Sequence, residues 1–201
     1  MKPTMNQSQP ENDDAKMREL ILYVAQLSWK DERFGAVKLN KILFYADFIA
    51  FVKRGKSITG QKYFALDEGP APKRLVPIRE KMKKAGDIAI QKVSFSNFPQ
   101  ERVVALRAPK FEILNDAEGI AIVNSVVQRL RNMSADEVSE ESHRFAGWQI
   151  AYERGAKTEM PYSLAVFDFE GLGIPTPALP QNLVDYGKQL YRRISDASSP
   201  N

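Results

Sequence analysis

The sequence predicts an α+β, mainly α, domain wrapped round one buried helix, with a small antiparallel β-hairpin or sheet beside it. Three observations carry that expectation. Residues 37–53 are apolar almost all round a helical circumference, the mark of a helix enclosed by its neighbours. Four other segments place apolar residues at helical spacing on one side only. The clearest strand signals are short stretches at 61–66, 88–95 and 102–107.

Residues 1–12 hold almost nothing that packs and read as a flexible tail. Asp13 or Asp14 is the expected N-cap of a first helix, because a carboxylate there satisfies orphan N–H groups. Its stripe is Met17, Leu20, Ile21, Val24 and Leu27, and it runs to about Trp29. The charged segment Lys30 to Gly35 is a loop. The central helix follows, from about Val37 to Lys53, with Arg54 in its last turn and Gly55 as the glycine that ends it.

Gln61 to Leu66 fits an edge strand, and Gly69-Pro70 a turn. Pro70 or Pro72 opens the next helix, whose core face is Leu75, Ile78, Met82 and Ala85. Pro77 sits badly inside that helix, so a start at Pro77 is an alternative. Ile88 to Phe95 and Arg102 to Arg107 pair as a hairpin across a turn at Ser96 to Gln100. Asp116 caps a helix to about Arg131, and Ser134 with Glu137 forms a capping box for the next. Tyr162 to Phe169 fits a strand or a buried helical turn. Gly173 to Pro180 reads as a stiff connector, and residues 181–194 as a last amphipathic helix. The expected organisation is a tail at 1–12, a domain at 13–170, and a connector with its helix at 171–201.

Composition narrows the function. The 201 residues contain no cysteine, which fits a reducing cytoplasm and a core built without disulfides. No run of about 18 apolar residues exists, and the polar start lacks the apolar core of a signal peptide. No membrane partner and a cytoplasmic location are therefore expected. Net charge is +4, but its distribution says more. Residues 71–86 carry Lys73, Arg74, Arg79, Lys81, Lys83 and Lys84 against Glu80, a net +5. Residues 134–142 carry Asp136, Glu137, Glu140 and Glu141, a net −4.

The chemistry of catalysis is thin. One histidine and no cysteine leave too few ligands for zinc. The acids at 136–141 suit a solvated helix start better than a Mg²⁺ site. Ser142 and His143 are adjacent and point about 100° apart on a helix, so they form no nucleophile–base pair. No phosphate-binding glycine motif and no nucleophile elbow are present. No catalytic residue, cofactor or metal is expected.

Two polar positions carry alternatives. Asp47, on the most apolar helix, either lines a binding groove or sits at the helix margin paired with a lysine or water; the second is favoured. His143, Arg144 and Trp148 are either an interaction site or a corner plugged by Trp148, with the corner favoured. The basic segment before the hairpin also matches a winged-helix order, with Lys73, Arg74, Arg79, Lys81, Lys83 and Lys84 facing DNA.

Lys38-Leu39-Asn40-Lys41-Ile42-Leu43-Phe44-Tyr45-Ala46, then Phe64-Ala65 before Gly69-Pro70, then Ser142-His143 and Trp148, form one further pattern. It resembles the Panacea domain, the SocA-like antitoxin family of bacteria and phages, over roughly residues 17–150. Glu68 stands where the family more often has an aromatic residue. The resemblance implies an antitoxin that neutralises a cognate toxin protein by binding it directly, without catalysis. On that reading Glu68, Gly69, Pro70, Arg74, His143, Arg144 and Trp148 lie near the partner, and the helix at 181–194 is an added clamp. DNA remains a possible second partner, and the sequence sets no oligomeric state.

Overall fold

Helix α1 (Gln9–Leu27) leads into α2 (Ala36–Arg54), the axis of the fold, in a computed structural model that describes residues 9–95 and 98–175. The chain continues as β1 (Tyr63–Leu66), β2 (Gly69–Pro72), α3 (Leu75–Lys84), β3 (Ile88–Phe95) and β4 (Phe98–Ala105). It then forms α4 (Phe111–Leu114), α5 (Ala117–Leu130), α6 (Ala135–His143), α7 (Ala146–Glu153), β5 (Glu159–Met160) and a 3₁₀ helix at Tyr162–Phe167. The architecture is mainly α, with two small antiparallel sheets. No helix among the described residues is long and apolar enough to cross a membrane.

α2 touches α1, α5, α6, β2, β4 and the 3₁₀ helix, which is the enclosure that its all-round apolar surface demands. Leu39, Leu43, Phe44, Tyr45, Ala46, Phe48 and Ala50 are all fully buried. Each large apolar side chain among them contributes roughly 1.5–3 kcal/mol by leaving water. Phe44 and Phe48 lie tilted against each other at 4.7 Å and meet Phe145 at 5.5 and 5.7 Å; Tyr63 stands edge-on to Phe48 at 5.4 Å. Gly55 ends α2 in a left-handed conformation, as the sequence suggested.

Asp116 caps α5, accepting from the Gly119 N–H at 2.9 Å. The same carboxylate takes a two-pronged pair from Arg54 at the C-terminus of α2, so one side chain joins the two helices. The Ser134–Glu137 capping box at the start of α6 is present in both directions. On the far side of the core, Arg107 pairs with Glu19 of α1 at 2.8 Å and with Asp87 at 2.6 Å, fastening the β3–β4 hairpin to α1.

Several expected boundaries shift. α1 starts at Gln9, so residues 9–12 are helical and Asp13 and Asp14 are not its N-cap. Asp14 instead accepts from Gln61 and Arg74, and those long-range bonds hold the first turns of the helix in place. Gly69-Pro70 does not form a turn before a helix. Gly69-Pro-Ala-Pro72 is strand β2, paired with β1 from Leu66↔Gly69 to Tyr63↔Pro72, and the two-residue loop is Asp67-Glu68. β2 is an edge strand, where two prolines cost little because one side of the strand makes no ladder bonds. β1 is the central strand, between β2 and the unforeseen β5. α3 begins at Leu75, which puts Pro77 in the first turn, where its missing N–H would have had no helical partner. Of the two alternatives for Tyr162 to Phe169, the helical turn holds and the strand does not: Tyr162–Phe167 is a 3₁₀ helix. The β3–β4 hairpin is longer than expected and forms its own sheet, apart from β1 and β2. The proposed helix at 181–194 and most of the connector lie outside the described residues.

Candidate functional site

The β1–β2 loop is the point on which distant parts of the sequence converge. Asp67 and Glu68 are exposed at its tip, and Gly69 and Pro70 behind them are buried. Antiparallel pairing of Leu66 with Gly69 brings the strands within one loop of each other, and Gly69 adopts φ +94°, a conformation that suits glycine.

Lys41 of α2 reaches the loop from below. Its ammonium donates to the Glu68 carbonyl, although the side chain is only 1% exposed. Burial is the chief reason its pKa is held down, to about 7, and the Glu68 carboxylate pushes weakly the other way. Lys38, one turn earlier, is buried as well; it pairs with Asp31 at 2.9 Å and donates to the Arg131 carbonyl at 3.1 Å. The two lysines of the helix-two motif are therefore internal braces, each tying α2 to a loop.

α6 and α7 close over the same loop. Trp148 donates its indole N–H to the Leu66 carbonyl at 3.1 Å. The His143 ring lies flat on it at 4.1 Å, and Tyr152, one turn along α7, stacks on it at 4.7 Å. Tyr152 donates its hydroxyl to Asp67 at 3.0 Å, and Gln149 donates to the His143 carbonyl at 2.9 Å. Burial, and then the Lys41 charge, lower the pKa of His143. Ser142 is fully buried and donates to the Ser139 carbonyl at 2.8 Å. The result is a rigid acidic tip backed by a three-ring ladder.

Sequence reasoning singled out seven residues here, and the structure brings most of them together. Glu68, Gly69, His143 and Trp148 meet at the tip. Pro70 is buried in β2 and offers the surface no side chain. Arg144 is exposed beside His143, on the rim of a depression of about 450 Å³ that it shares with Glu141, Asp168 and Glu170. Arg74 lies apart, beyond the other end of β2, roughly 16 Å from Gly69 at the rise of a strand. It is paired with Asp14 at 2.6 and 2.8 Å.

Of the basic set, Lys73, Lys81, Lys83 and Lys84 are exposed, Lys73 stands 5.1 Å over the Phe64 ring, and Arg79 is near Glu101 at 3.6 Å. Asp67, Tyr152 and Lys41 had no assigned role. Tyr152 was within reach of the sequence, since it follows Trp148 by four positions on one helix. Lys41 was not, because burial of a lysine leaves no mark in spacing.

Asp47 takes neither expected role. It is fully buried and accepts from the Ile58 and Thr59 N–H groups at 2.9 Å, from Tyr63 at 2.8 Å, from Tyr162 at 3.4 Å, and from the Thr59 hydroxyl. It locks α2 to the loop before β1 and to the 3₁₀ helix. Burial raises its pKa, against the pull of these donors. Among the described residues no group of three or more His, Cys, Asp or Glu is placed to hold a metal ion.

The buried amine gives the site a pH signature. The folded protein releases the Lys41 proton near pH 7, whereas the unfolded chain keeps it to about 10.5. Between those values the unfolded state binds the extra proton, so stability rises with pH, at a slope approaching about 1.4 kcal/mol per unit. Below about pH 7 both states are charged and the slope vanishes. Lys41→Met is expected to remove this slope. In denaturant melts from about pH 7.5 to 9.5 the parent should then gain about 2 kcal/mol of stability relative to the variant, whichever is the more stable at the lower pH. A difference between them that stays constant with pH would contradict the assignment.

A family model described as antitoxin SocA-like, Panacea domain, matches residues 39–149, more than half of the chain. No curated protein and no solved structure matches. The match takes in α2 from Leu39, the β1–β2 loop, α6, and α7 as far as Gln149.

Proposed function

The chain belongs to the SocA-like Panacea antitoxin family, and from that premise we propose that it neutralises a cognate toxin protein in the cytoplasm by direct binding, without catalysis, through the face around the Asp67–Glu68 tip. One observation carries the choice of face: Lys41 of α2 and Tyr152 of α7 both bond the two-residue loop, Trp148 of α7 bonds the Leu66 carbonyl just before it, and the loop's acids stay exposed. A loop held this firmly loses little freedom on binding, so more of the contact energy appears as affinity. Arg144 flanks the tip, and a partner of ordinary footprint, roughly 1,200–2,000 Å² in total, would cover both. Arg74 joins only if the interface extends along β2.

Co-expression with the product of the neighbouring open reading frame tests this reading. The expected result is that the neighbour alone arrests growth, that this chain restores it, and that the two elute together. Failure of both rescue and co-elution overturns it.

A second reading, nucleic acid on α3, is favoured by one observation: Lys73, Lys81, Lys83 and Lys84 are exposed and make no ion pair among the described residues. At about 100° per residue Glu80 falls between Lys83 and Lys84 on the outer arc, which interrupts a cationic stripe. If these four lysines meet phosphates, log K for duplex DNA falls with log salt at a slope near −3 to −4. A flat dependence removes this reading.

A further inference from the structure

We propose that the tip is an arginine-reading subsite: a basic segment of the protein partner lays a guanidinium on the open face of Tyr152 and pairs it with Asp67 and Glu68. This rests on the protein-binding reading above and names the chemistry that the face accepts.

The ring ladder runs His143, Trp148, Tyr152 and ends there. One face of Tyr152 is covered by Trp148, and among the described residues no ring or cation covers the other; the residue is 36% exposed. Its hydroxyl is fixed by Asp67 Oδ1, which sets the ring plane beside the carboxylate and leaves Oδ2 without a hydrogen bond among the described residues. Glu68 is exposed next to it, its carboxylate engaged by no ion pair among the described residues, while its backbone carbonyl is held by Lys41.

The exposed cations Arg154 and Lys157, in the segment that follows α7, pair with neither acid. Lys41 is the nearest internal cation, and it is enclosed beneath the loop. Glu140 of α6 lies within electrostatic range of His143, as Glu68 does, so the rim is acidic on the α6 side too.

An aromatic face beside two unneutralised carboxylates matches a planar cation that stacks and donates in a fork. A guanidinium does both, whereas an ammonium is a compact charge without a plane to stack. Phosphate or acidic partners would meet repulsion at the tip.

The probe is an acetylated, amidated Gly-Arg-Gly-Arg-Gly peptide, with lysine and citrulline versions of the same length. The readout is the indole N–H resonance of Trp148, with exposed Trp29 as internal control. The arginine peptide is expected to move the Trp148 signal at millimolar concentration and leave Trp29 unmoved. Lysine should bind at least fivefold more weakly and citrulline not at all. The double variant Asp67→Asn with Glu68→Gln, which keeps an acceptor for Tyr152, should weaken the arginine peptide at least tenfold. No shift, equal shifts for arginine and lysine, or a shift that survives the double variant overturns the inference.

The co-expression assay separates this inference from the reading beneath it. Rescue by the parent and equal rescue by the double variant overturns the subsite and leaves neutralisation standing. Failure of the parent in both rescue and co-elution overturns neutralisation, and the peptide titration still decides the subsite.

Discussion

Asp47→Ala is expected to destabilise the fold by about 3–5 kcal/mol, because one acceptor serves several buried donors. The substitution strands the Ile58 and Thr59 N–H groups and the hydroxyls of Thr59 and Tyr63 in a dry interior, while the Tyr162 hydroxyl keeps its bond to the Gln61 carbonyl at 2.6 Å. Each orphaned donor costs about 1–3 kcal/mol. The sum is offset in part, because removing the carboxylate also removes the penalty of burying it, the same penalty that raises its pKa. Asp47→Asn keeps one acceptor oxygen and turns an NH₂ toward the remaining donors, so its loss should be smaller but of the same sign. Urea titration at neutral pH is the measurement. An alanine variant within about 1 kcal/mol of the parent would show that the cluster does not hold the 3₁₀ helix and β1 onto α2.

Gly69→Ala should have the next largest effect, at about 2–5 kcal/mol. A β-carbon there would lie 2.4 Å from Ser142 Oγ, 2.5 Å from Lys41 Nζ and 3.3 Å from His143 Cδ2. Lys41 and Ser142 are enclosed and have nowhere to retreat. Overpacking costs about 1–3 kcal/mol, and the positive φ adds about 1–2 for an L-residue. Gly55→Ala is the control. Its φ of +74° imposes the same kind of backbone penalty, but nothing lies within 4 Å of the added carbon. Only the backbone term should appear there, about 1–2 kcal/mol. Equal losses at the two glycines in thermal melts would mean that the packing beneath the loop is looser than the distances state. Neutralisation of the partner should fall with Gly69→Ala and not with Gly55→Ala, since only the first displaces the tip.

The helices were legible because burial writes a period into the sequence. Met17, Leu20, Ile21 and Val24 fall on one stripe and are all fully buried. Caps were legible too, since Asp116 and Ser134 act within four residues of their own positions. What escaped depends on contacts across the chain. The start of α1 is held by Gln61 and Arg74, and β2 exists because Leu66 faces Gly69. A Gly-Pro pair suggests a turn from local chemistry alone, and the pairing partner overrides it. The site was half legible. Glu68, Gly69, His143 and Trp148 carry a recognisable pattern, whereas Lys41 and Asp47 look like ordinary surface charges until the chain closes over them.

Asp47 has one more consequence, for how the chain can be dissected. Three of its donor residues, Ile58, Thr59 and Tyr63, lie inside the stretch that the family model matches, and Tyr162 lies beyond it. α1 falls outside as well, yet Met17, Leu20 and Ile21 belong to the same apolar cluster as Phe44 and Phe48. A piece excised at 39 and 149 would carry the recognisable motifs and expose the walls they lean on. Transplanting this scaffold onto another protein therefore calls for borders drawn by shared interior, from α1 through the 3₁₀ helix, and not by motif.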